Sequence, residues 1–464
     1  MKTNIIFGSP GTGKTTRLLE ILDGLLKDYS PNEIAYVSYT KEGALQGKRR
    51  AMHRFSHKSK DLPYFATLHS LAFKSLNLKV TDVINRRNYR KFSEKMGMNF
   101  TGYYTEDLRN DNDKYLFFDT LYRNNKRMAI SHMDELDIQT LKFVRENYLA
   151  YRKTNHIIDY TDMIENFNKE GKAIPVKIAI IDEAQDLTTL QWRMVWTAFK
   201  NCDRIFIAGD DDQAIYQWSG ADVDYFLSIQ GKIEILKHSH RLPNEILRFS
   251  KRITDKISNR VDKDFDGTGK RGFVDYIASL EEIDFNPNSN ESYMILSRNN
   301  YFLGGVEKFI KNKGLMYKRK GKLSASKKDL NIIHLYEKVK RTKIMSPNEE
   351  QTLKPHLEEG YNLNKNWYES LNWETDKIVY FRDLIANKTD LDKCRIKIGT
   401  IHSVKGDEAD NVILLTDLTK TVYSNLKKHG DSEHRVFYVG ATRAKNNLFL
   451  VQSSGKYEYN FLEG

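Results

Sequence analysis

Residues 8–15 read Gly-Ser-Pro-Gly-Thr-Gly-Lys-Thr, a glycine-rich pattern that can bind the phosphates of a nucleotide. The glycines let backbone N–H groups approach phosphate oxygens, Lys14 can reach the β- and γ-phosphates, and the Thr15 hydroxyl can hold Mg²⁺. An apolar run precedes this loop and a helical pattern follows it, which is the setting that the chemistry requires. The predicted nucleotide contacts are Gly8, Pro10, Gly11, Thr12, Gly13, Lys14, Thr15 and Thr16.

Two carboxylates, Asp182 and Glu183, follow the apolar run Lys177–Ile181. Ligands of parallel α/β sheets bind at the carboxyl ends of the strands, so this pair is predicted to lie near the phosphates. We expect Asp182 to hold Mg²⁺ through water and Glu183 to polarise the water that attacks the γ-phosphate. Adjacent acidic residues are common on protein surfaces, and it is the glycine-rich loop that favours the catalytic interpretation.

Short apolar runs that end in polar or glycine-containing segments predict the strands that carry these residues. The first helix is also evident, since Leu18, Leu19, Leu22 and Leu25 share one face at helical spacing. Alternating strands and helices indicate an α/β fold with parallel sheets. The predicted strands are Asn4–Phe7, Ile34–Ser38, Lys177–Ile181, Arg204–Ala208, Ile396–Gly399, Val412–Leu415 and Asn447–Val451.

The composition is that of a large globular protein with a basic surface. Its 464 residues are 40% hydrophobic and 29% charged, and the net charge of +12 favours a polyanionic partner or simply maintains solubility. Only Cys202 and Cys394 occur, which excludes a disulfide framework and fits a reducing cytosol. The sequence has no run of about 20 apolar residues, so we expect neither export nor a membrane span.

Four longer motifs carry a resemblance to a known family. They are Ile180–Asp186, Gly209–Trp218, Thr400–Glu408 and Glu433–Ala444, and they occur in the expected order. Together with the glycine-rich loop they closely resemble the UvrD/Rep/PcrA group of superfamily 1 helicases. The resemblance implies two RecA-like lobes of the P-loop NTPase type, with ATP between them and single-stranded DNA across their tops.

The resemblance also implies a domain organisation, because two basic or polar stretches interrupt the alternation of strands and helices. The first lobe is expected at residues 1–76 and 156–235, with a helical insertion at 77–155. The second lobe is expected at residues 236–344 and 393–464, with a reduced insertion at 345–392.

Further nucleotide contacts follow from the resemblance alone. Arg241 and Arg443 match the two arginines that contact the γ-phosphate from the second lobe. Gln213 resembles the γ-phosphate sensor and Glu408 the ribose contact. His240 stands where the family has a tyrosine that stacks on adenine. With Lys14, Asp182 and Glu183, the residues Gln213, Arg241 and Arg443 make up the predicted catalytic set.

The resemblance places DNA contacts on both lobes. Aromatic residues can stack on bases, whereas hydroxyl and imidazole groups can contact phosphates and bases. A tryptophan or tyrosine in such a position can instead pack in the core, and both interpretations stay open. The predicted contacts are Tyr39, Thr67, His69, Tyr216, Trp218, Thr400, His402 and Ser403.

Several features depart from the family pattern. No upstream segment with the adenine-reading glutamine precedes the first strand, so selectivity for adenine is in doubt. Ser219 replaces an arginine, and Lys41-Glu42-Gly43 replaces the usual Asn-Lys-Ala. The second insertion is short, which predicts weaker autoinhibition. The strand-splitting pin must be small, and segment 456–461 is the candidate.

These observations predict an ATP- and Mg²⁺-dependent DNA helicase that moves 3′ to 5′ on single-stranded DNA and unwinds tailed duplex DNA. The alternative is a translocase or protein-displacing motor with little unwinding activity. A third interpretation is a nucleic-acid-binding protein with ATP as a structural switch, against which Glu183, Arg241 and Arg443 argue. We expect a cytoplasmic monomer that works with replication, repair or recombination proteins and not at a membrane. A phage genome is one origin that fits this expectation.

Overall fold

The computed structural model describes residues 1–56, 58–104, 112–125, 137–285, 290–387, 389–390, 393–453 and 455–461. The chain divides into two compact units. The first consists of Met1–Arg271 and Ser424–Thr442, and the second of Gly272–Tyr423 and Arg443–Glu463. No helix among the described residues is long and apolar enough to cross a membrane.

The first unit is built on a parallel sheet with the strand order β3-β2-β4-β5-β1-β6 among the described residues. Each pair of neighbours is parallel. Successive residues of a strand enter opposite cores: Ile5 and Phe7 pack on one face, and Ile6 packs on the other. The strands are β1 (Lys2–Gly8), β2 (Ile34–Ser38), β3 (Phe65–Ala66), β4 (Ile178–Asp182), β5 (Arg204–Gly209) and β6 (Lys232–Leu236).

Helices cover both faces of this sheet, which is why its central strands are continuously apolar. The helix predicted after the glycine-rich loop is confirmed, and it buries Leu18, Leu19, Leu22 and Leu25. The helices are α1 (Lys14–Leu25), α2 (Lys41–Phe55), α3 (Leu68–Ser75), α7 (Tyr160–Glu170), α8 (Thr189–Ala198), α9 (Val223–Ser228), α10 (Asn244–Thr254) and α17 (Gly430–Ala441).

The helical insertion has an apolar core of its own. Three helices contribute to it: α4 (Arg86–Met96), α5 (Asp113–Asn125) and α6 (Ile138–Thr154). Phe92 is fully buried at its centre. Buried ion pairs from Arg123 of α5 and Arg152 of α6 to Asp159 join the insertion to the start of α7.

The second unit has a sheet with the strand order β10-β9-β11-β8-β12-β13-β7 among the described residues. Only the pair formed by the short strands β9 and β10 is antiparallel within this described sheet. The strands are β7 (Phe273–Ile277), β8 (Tyr293–Ser297), β9 (Tyr317–Arg319), β10 (Lys322–Leu323), β11 (Ile396–Thr400), β12 (Ala409–Leu415) and β13 (Ala444–Val451).

Helices α12 to α15 form a separate apolar cluster, which includes Ile332, Tyr336, Trp367 and Phe381. This cluster starts before residue 345, where the sequence placed the second insertion. The helices of this unit are α11 (Leu303–Asn312), α12 (Lys327–Thr342), α13 (Pro347–Leu353), α14 (Trp367–Ser370), α15 (Thr375–Ala386) and α16 (Lys420–Lys428), the last of which spans the division between the units.

The segment 236–271 packs with the first unit, although the sequence-based division gave it to the second lobe. Hydrogen bonds explain this placement, because the Ser239 hydroxyl donates to the Pro10 carbonyl at 2.7 Å and the His240 N–H donates to the Gly11 carbonyl at 2.9 Å. The assignment of four domains stays a prediction.

Candidate nucleotide and nucleic-acid site

The glycine-rich loop connects β1 to α1, as the sequence predicted. Gly11 and Gly13 adopt left-handed conformations with φ angles of 75° and 81°, which other residues rarely adopt. The Thr12 hydroxyl donates to the Ser9 carbonyl at 2.8 Å and closes the turn. The loop leads directly into the N-terminus of α1, where no side chain of the N-cap residue Gly13 caps the helix. The first N–H groups of a helix have no partner within the helix, so this arrangement suits a phosphate.

Lys14 lies across this loop, and its Nζ donates to the Gly8 carbonyl oxygen at 2.6 Å. Gly8 is required here, since a methyl group at this position would lie 2.5 Å from the Thr12 hydroxyl oxygen and 2.7 Å from Lys14 Cγ. The ammonium group is thus held over the concave side of the loop, where a triphosphate would meet it.

Asp182 ends β4 and faces the start of α1. The Thr15 hydroxyl lies 3.3 Å from Asp182 Oδ2, and the Glu183 N–H donates to Oδ1 at 2.9 Å. Burial, together with the neighbouring Glu183 carboxylate, raises the pKa of Asp182 to about 6. One hydroxyl and one carboxylate at this distance fit Mg²⁺, which takes few protein oxygens and completes its shell with water and phosphate.

Glu183 has a φ angle of 54°, the left-handed region that residues with a side chain rarely occupy. Such strain is commonly kept at functional sites. Its carboxylate accepts a hydrogen bond from Gln185 Nε2 at 2.6 Å, so its direction is fixed by a fully buried side chain. The sequence motif contains Gln185, but its spacing alone assigned no role to this residue.

Gln213 follows β5 and belongs to the same network. Its Nε2 donates to Asp210 Oδ2 at 2.6 Å, and the Asp210 N–H donates to Gln185 Oε1 at 3.0 Å. A continuous chain of hydrogen bonds therefore joins the predicted water activator Glu183 to the predicted γ-phosphate sensor Gln213.

Asp210, Asp211 and Asp212 form a buried acidic cluster that the sequence analysis did not single out. Lys263 Nζ pairs with all three carboxylates, at 3.3 Å from Asp210 and 2.9 Å from Asp212, and it also contacts Asp211. Arg260 makes a bidentate pair with Asp212, with both distances 2.9 Å. The three-residue acidic run was the available signal, because buried carboxylates need paired cations.

Of the residues assigned to the second lobe, His240 and Arg241 lie beside the glycine-rich loop in the first unit. A methyl group at Gly11 would overlap Arg241 Cβ, so the backbone of Arg241 touches the loop. The roles of both side chains toward a nucleotide stay predictions.

The remaining second-lobe residues lie in the second unit. Arg443 is buried and donates from Nη1 to the Asp407 carbonyl at 3.3 Å, whereas Glu408 is exposed. Thr400, His402 and Ser403 sit at the carboxyl end of β11, where the Thr400 hydroxyl accepts the Ser403 N–H at 3.3 Å. Their predicted contacts with nucleotide and DNA remain predictions.

The predicted DNA contacts of the first unit follow its strands. Tyr39 and Tyr216 stack on each other with ring centroids 5.8 Å apart, and Thr67 caps α3. His69 packs edge-on against Tyr160 at 5.5 Å, and burial lowers its pKa to about 4, so the ring is neutral near pH 7. Trp218 is half-buried, with its ring 6.0 Å from Phe117 in the insertion core.

A parallel sheet with a glycine-rich loop between β1 and α1, and with carboxylates at the carboxyl end of β4, defines a P-loop NTPase fold. Residues 1–234 match the UvrD/REP helicase N-terminal domain, and residues 396–451 match the UvrD-like helicase C-terminal domain. The chain belongs to the UvrD/REP helicase family, a group of superfamily 1, and the resemblance stated from its motifs is confirmed.

Individual relatives are distant in sequence. The chain is 23% identical over 357 residues to ATP-dependent DNA helicase Rep of Buchnera aphidicola subsp. Baizongia pistaciae, an alignment that covers 68% of this chain and 52% of the relative. It is 21% identical to Rep of Buchnera aphidicola subsp. Schizaphis graminum, over 98% of this chain and 92% of the relative. ATP-dependent DNA helicase PcrA of Staphylococcus epidermidis is 22% identical, over 56% of this chain and 39% of the relative.

Proposed function

We propose that this protein is an ATP-dependent DNA helicase that moves 3′ to 5′ along single-stranded DNA and unwinds tailed duplex DNA. Membership of the UvrD/REP family supports the activity and the substrate. The observation that carries the proposal is the connected network from the phosphate-binding loop through Asp182 and Glu183 to Gln213. A protein that only binds nucleotide has no need of an oriented water activator.

The network supports a division of labour in ATP hydrolysis. Thr15 and Asp182 would hold Mg²⁺, which would neutralise charge on the β- and γ-phosphates. Lys14 would bind the same phosphates, and Glu183 would orient the attacking water and receive its proton. Gln213 is tied to Glu183 through Gln185 and Asp210, and it would therefore link the state of the γ-phosphate to the segment that follows it.

That segment carries the proposed DNA contacts. Tyr216 and Trp218 come three and five residues after Gln213, and Tyr216 stacks on Tyr39. Stacked bases contribute about 1–3 kcal/mol each in proteins that bind single strands without sequence preference. We therefore propose single-stranded DNA as the track, with replication or repair proteins as partners and a monomer as the working form.

The first test is ATP hydrolysis with and without single-stranded DNA. Glu183→Gln keeps the hydrogen-bonding shape but removes the base, so turnover should fall by about 100-fold or more while ATP binding is retained. The matched control Glu359→Gln, at an exposed position, should match the wild type. Full turnover in Glu183→Gln would remove Glu183 from the mechanism.

Direction is tested on duplexes that carry a single-stranded tail at either end. Unwinding of the 3′-tailed duplex alone, abolished by Lys14→Ala, is the expected result. Equal unwinding of both substrates, or unwinding of the 5′-tailed duplex alone, would contradict the proposed polarity.

The buried segment after β13 favours the second candidate, a translocase with little unwinding activity. Tyr459 and Phe461, two of the aromatic residues predicted to form a strand-splitting pin, are 2% and 7% exposed. The Tyr459 N–H donates to the Thr416 carbonyl at 2.9 Å, so this segment packs on its own unit. A motor that displaces streptavidin from a biotinylated single strand but leaves a 3′-tailed duplex intact would establish this alternative.

A further inference from the structure

Tyr36 places a phenol hydroxyl against the carboxylate proposed to hold the metal ion. It lies in β2, next to β4 in the sheet, and is fully buried. Its hydroxyl donates to Asp182 Oδ2 at 2.6 Å. Strand alternation places Tyr36 in the apolar core on one face of the sheet, and its hydroxyl reaches the carboxylate at the end of the neighbouring strand β4.

The surroundings hold this ring in place from two sides. Phe65 of β3 stacks on it with ring centroids 5.5 Å apart and an interplanar angle of 14°. Gly47 of α2 leaves room on the other side, since a methyl group there would lie 2.6 Å from Tyr36 Cε1. The hydroxyl therefore has little freedom to leave Asp182.

Three donors orient the Asp182 carboxylate: the Tyr36 hydroxyl, the Glu183 N–H and the Thr15 hydroxyl. The Thr15 hydroxyl is the longest of these contacts at 3.3 Å, and it is a proposed metal ligand itself. If the Thr15 hydroxyl bound a metal ion, Tyr36 would still hold Oδ2 while the Glu183 N–H held Oδ1.

We propose that Tyr36 is a positioning residue that aims Asp182 and thereby sets how strongly Mg²⁺ strengthens nucleotide binding. This inference rests on the metal site in the proposed function. Partners of metal-binding carboxylates typically change metal affinity or activity by about 10–100-fold when they are removed. Tyr36 would act without touching the nucleotide or the metal.

The test is binding of a fluorescent ADP analogue to the full chain, measured once with Mg²⁺ and once with EDTA, and without DNA. The Kd in EDTA divided by the Kd in Mg²⁺ gives the factor by which the metal strengthens binding. This ratio separates the effect of the metal from that of the phosphate-binding loop. Tyr36→Phe removes one oxygen atom and keeps the stacked ring, so the ratio should fall by about 10-fold or more while the Kd in EDTA is unchanged. Tyr317→Phe, which removes a 3.0 Å hydrogen bond to Glu307 in the second unit, is the matched control and should keep the wild-type ratio.

Gly47→Ala provides a second variant that moves the hydroxyl without deleting it. Alanine favours a helix interior over glycine by about 1 kcal/mol, so lost helix propensity would not explain a weaker metal effect. The ratio of Kd values should fall in Gly47→Ala and should not fall further in the double variant with Tyr36→Phe.

A wild-type ratio in Tyr36→Phe would overturn the proposal and leave the proposed ATPase intact. Equal weakening in Mg²⁺ and in EDTA would also overturn it, since that pattern indicates a packing role. Absence of any Mg²⁺ effect in the wild type would overturn both the inference and the metal site on which it rests.

Discussion

Replacing Gly11 by alanine tests the placement of Arg241 beside the phosphate-binding loop. Gly11 has a φ angle of 75°, and a methyl group built on it overlaps Arg241 Cβ. The same methyl group would lie 2.8 Å from the Ser239 hydroxyl oxygen and 3.0 Å from the Arg241 backbone nitrogen. Because two of these three neighbours lie on the main chain or next to it, the overlap is relieved only by moving the segment 239–241 away from the loop.

Gly13 provides the matched control. Its φ angle of 81° imposes the same left-handed conformation, but the nearest atom to an added methyl group is Thr16 Cβ at 3.8 Å, an ordinary contact. Gly13→Ala should therefore cost about 1–2 kcal/mol of folding free energy for the conformation alone. Gly11→Ala should cost that amount and a further ~1–3 kcal/mol for the forced shift of packed atoms.

Urea unfolding of the two nucleotide-free variants, followed by tryptophan fluorescence, measures this difference. Stability is the right observable, because both glycines are predicted phosphate contacts and both variants should bind nucleotide poorly. A larger loss in Gly11→Ala than in Gly13→Ala is the expected result. Equal losses would show that the segment 239–241 does not lie against the loop in solution.

Two further measurements probe buried charges. Lys263→Met removes the cation that all three carboxylates of residues 210–212 share, so the free energy of unfolding in urea should fall by about 3–5 kcal/mol. The control Lys251→Met removes one surface ion pair and should lower it by at most about 1 kcal/mol. Similar losses in the two variants would contradict the buried pairing of Lys263 with the three carboxylates. Burial lowers the pKa of His69 and of His434 to about 4, below the ordinary ~6.5, so at these two residues the unfolded chain binds more protons and each lowers stability as pH drops from ~6.5 to ~4. The raised pKa of Asp182, about 6, acts in the opposite sense, so wild type and variant are compared directly. Urea midpoints at pH 7.5 and 5.0 should show less destabilisation by acid in His69→Gln/His434→Gln than in the wild type, and the same pH dependence in both proteins would exclude a contribution from these histidines.

The strands that the sequence predicted share one physical property: continuous apolar runs, because helices cover both of their faces. All seven predicted runs lie in strands, and the ends differ by a few residues. Six of the described strands were missed. The edge strands β6 and β7 carry a weak signal, since each is exposed along part of its length and mixes Lys, Glu or Asp with apolar residues. Strands β3, β9 and β10 have only two or three residues each. The central strand β8 is buried along its whole length, so exposure does not explain why it was missed.

Some residues of the site could also be predicted from the local sequence pattern, whereas others could not. The loop and the residues Asp182 and Glu183 could be singled out from the sequence, because the chemistry proposed for them requires particular residue types at fixed spacing. Tyr36 and Lys263 were not, because their partners lie 146 and about 50 residues away in the sequence and meet them only through the order of the strands and loops. The sequence around a tyrosine in an apolar strand does not indicate which carboxylate its hydroxyl will bind.

Trp218 shows how the fold adds a connection that no motif states. Its position after Gln213 predicted a base platform, and in the structure its ring also packs on Phe117 in the core of the helical insertion. The Gly220 backbone, two residues on, approaches the same insertion, since a methyl group there would lie 3.3 Å from Asn125 Nδ2. The segment that starts at Gln213, the proposed γ-phosphate sensor, thus ends against the insertion. If Gln213 shifts on ATP turnover as proposed, one short stretch of chain would carry that shift to both Tyr216 and the insertion.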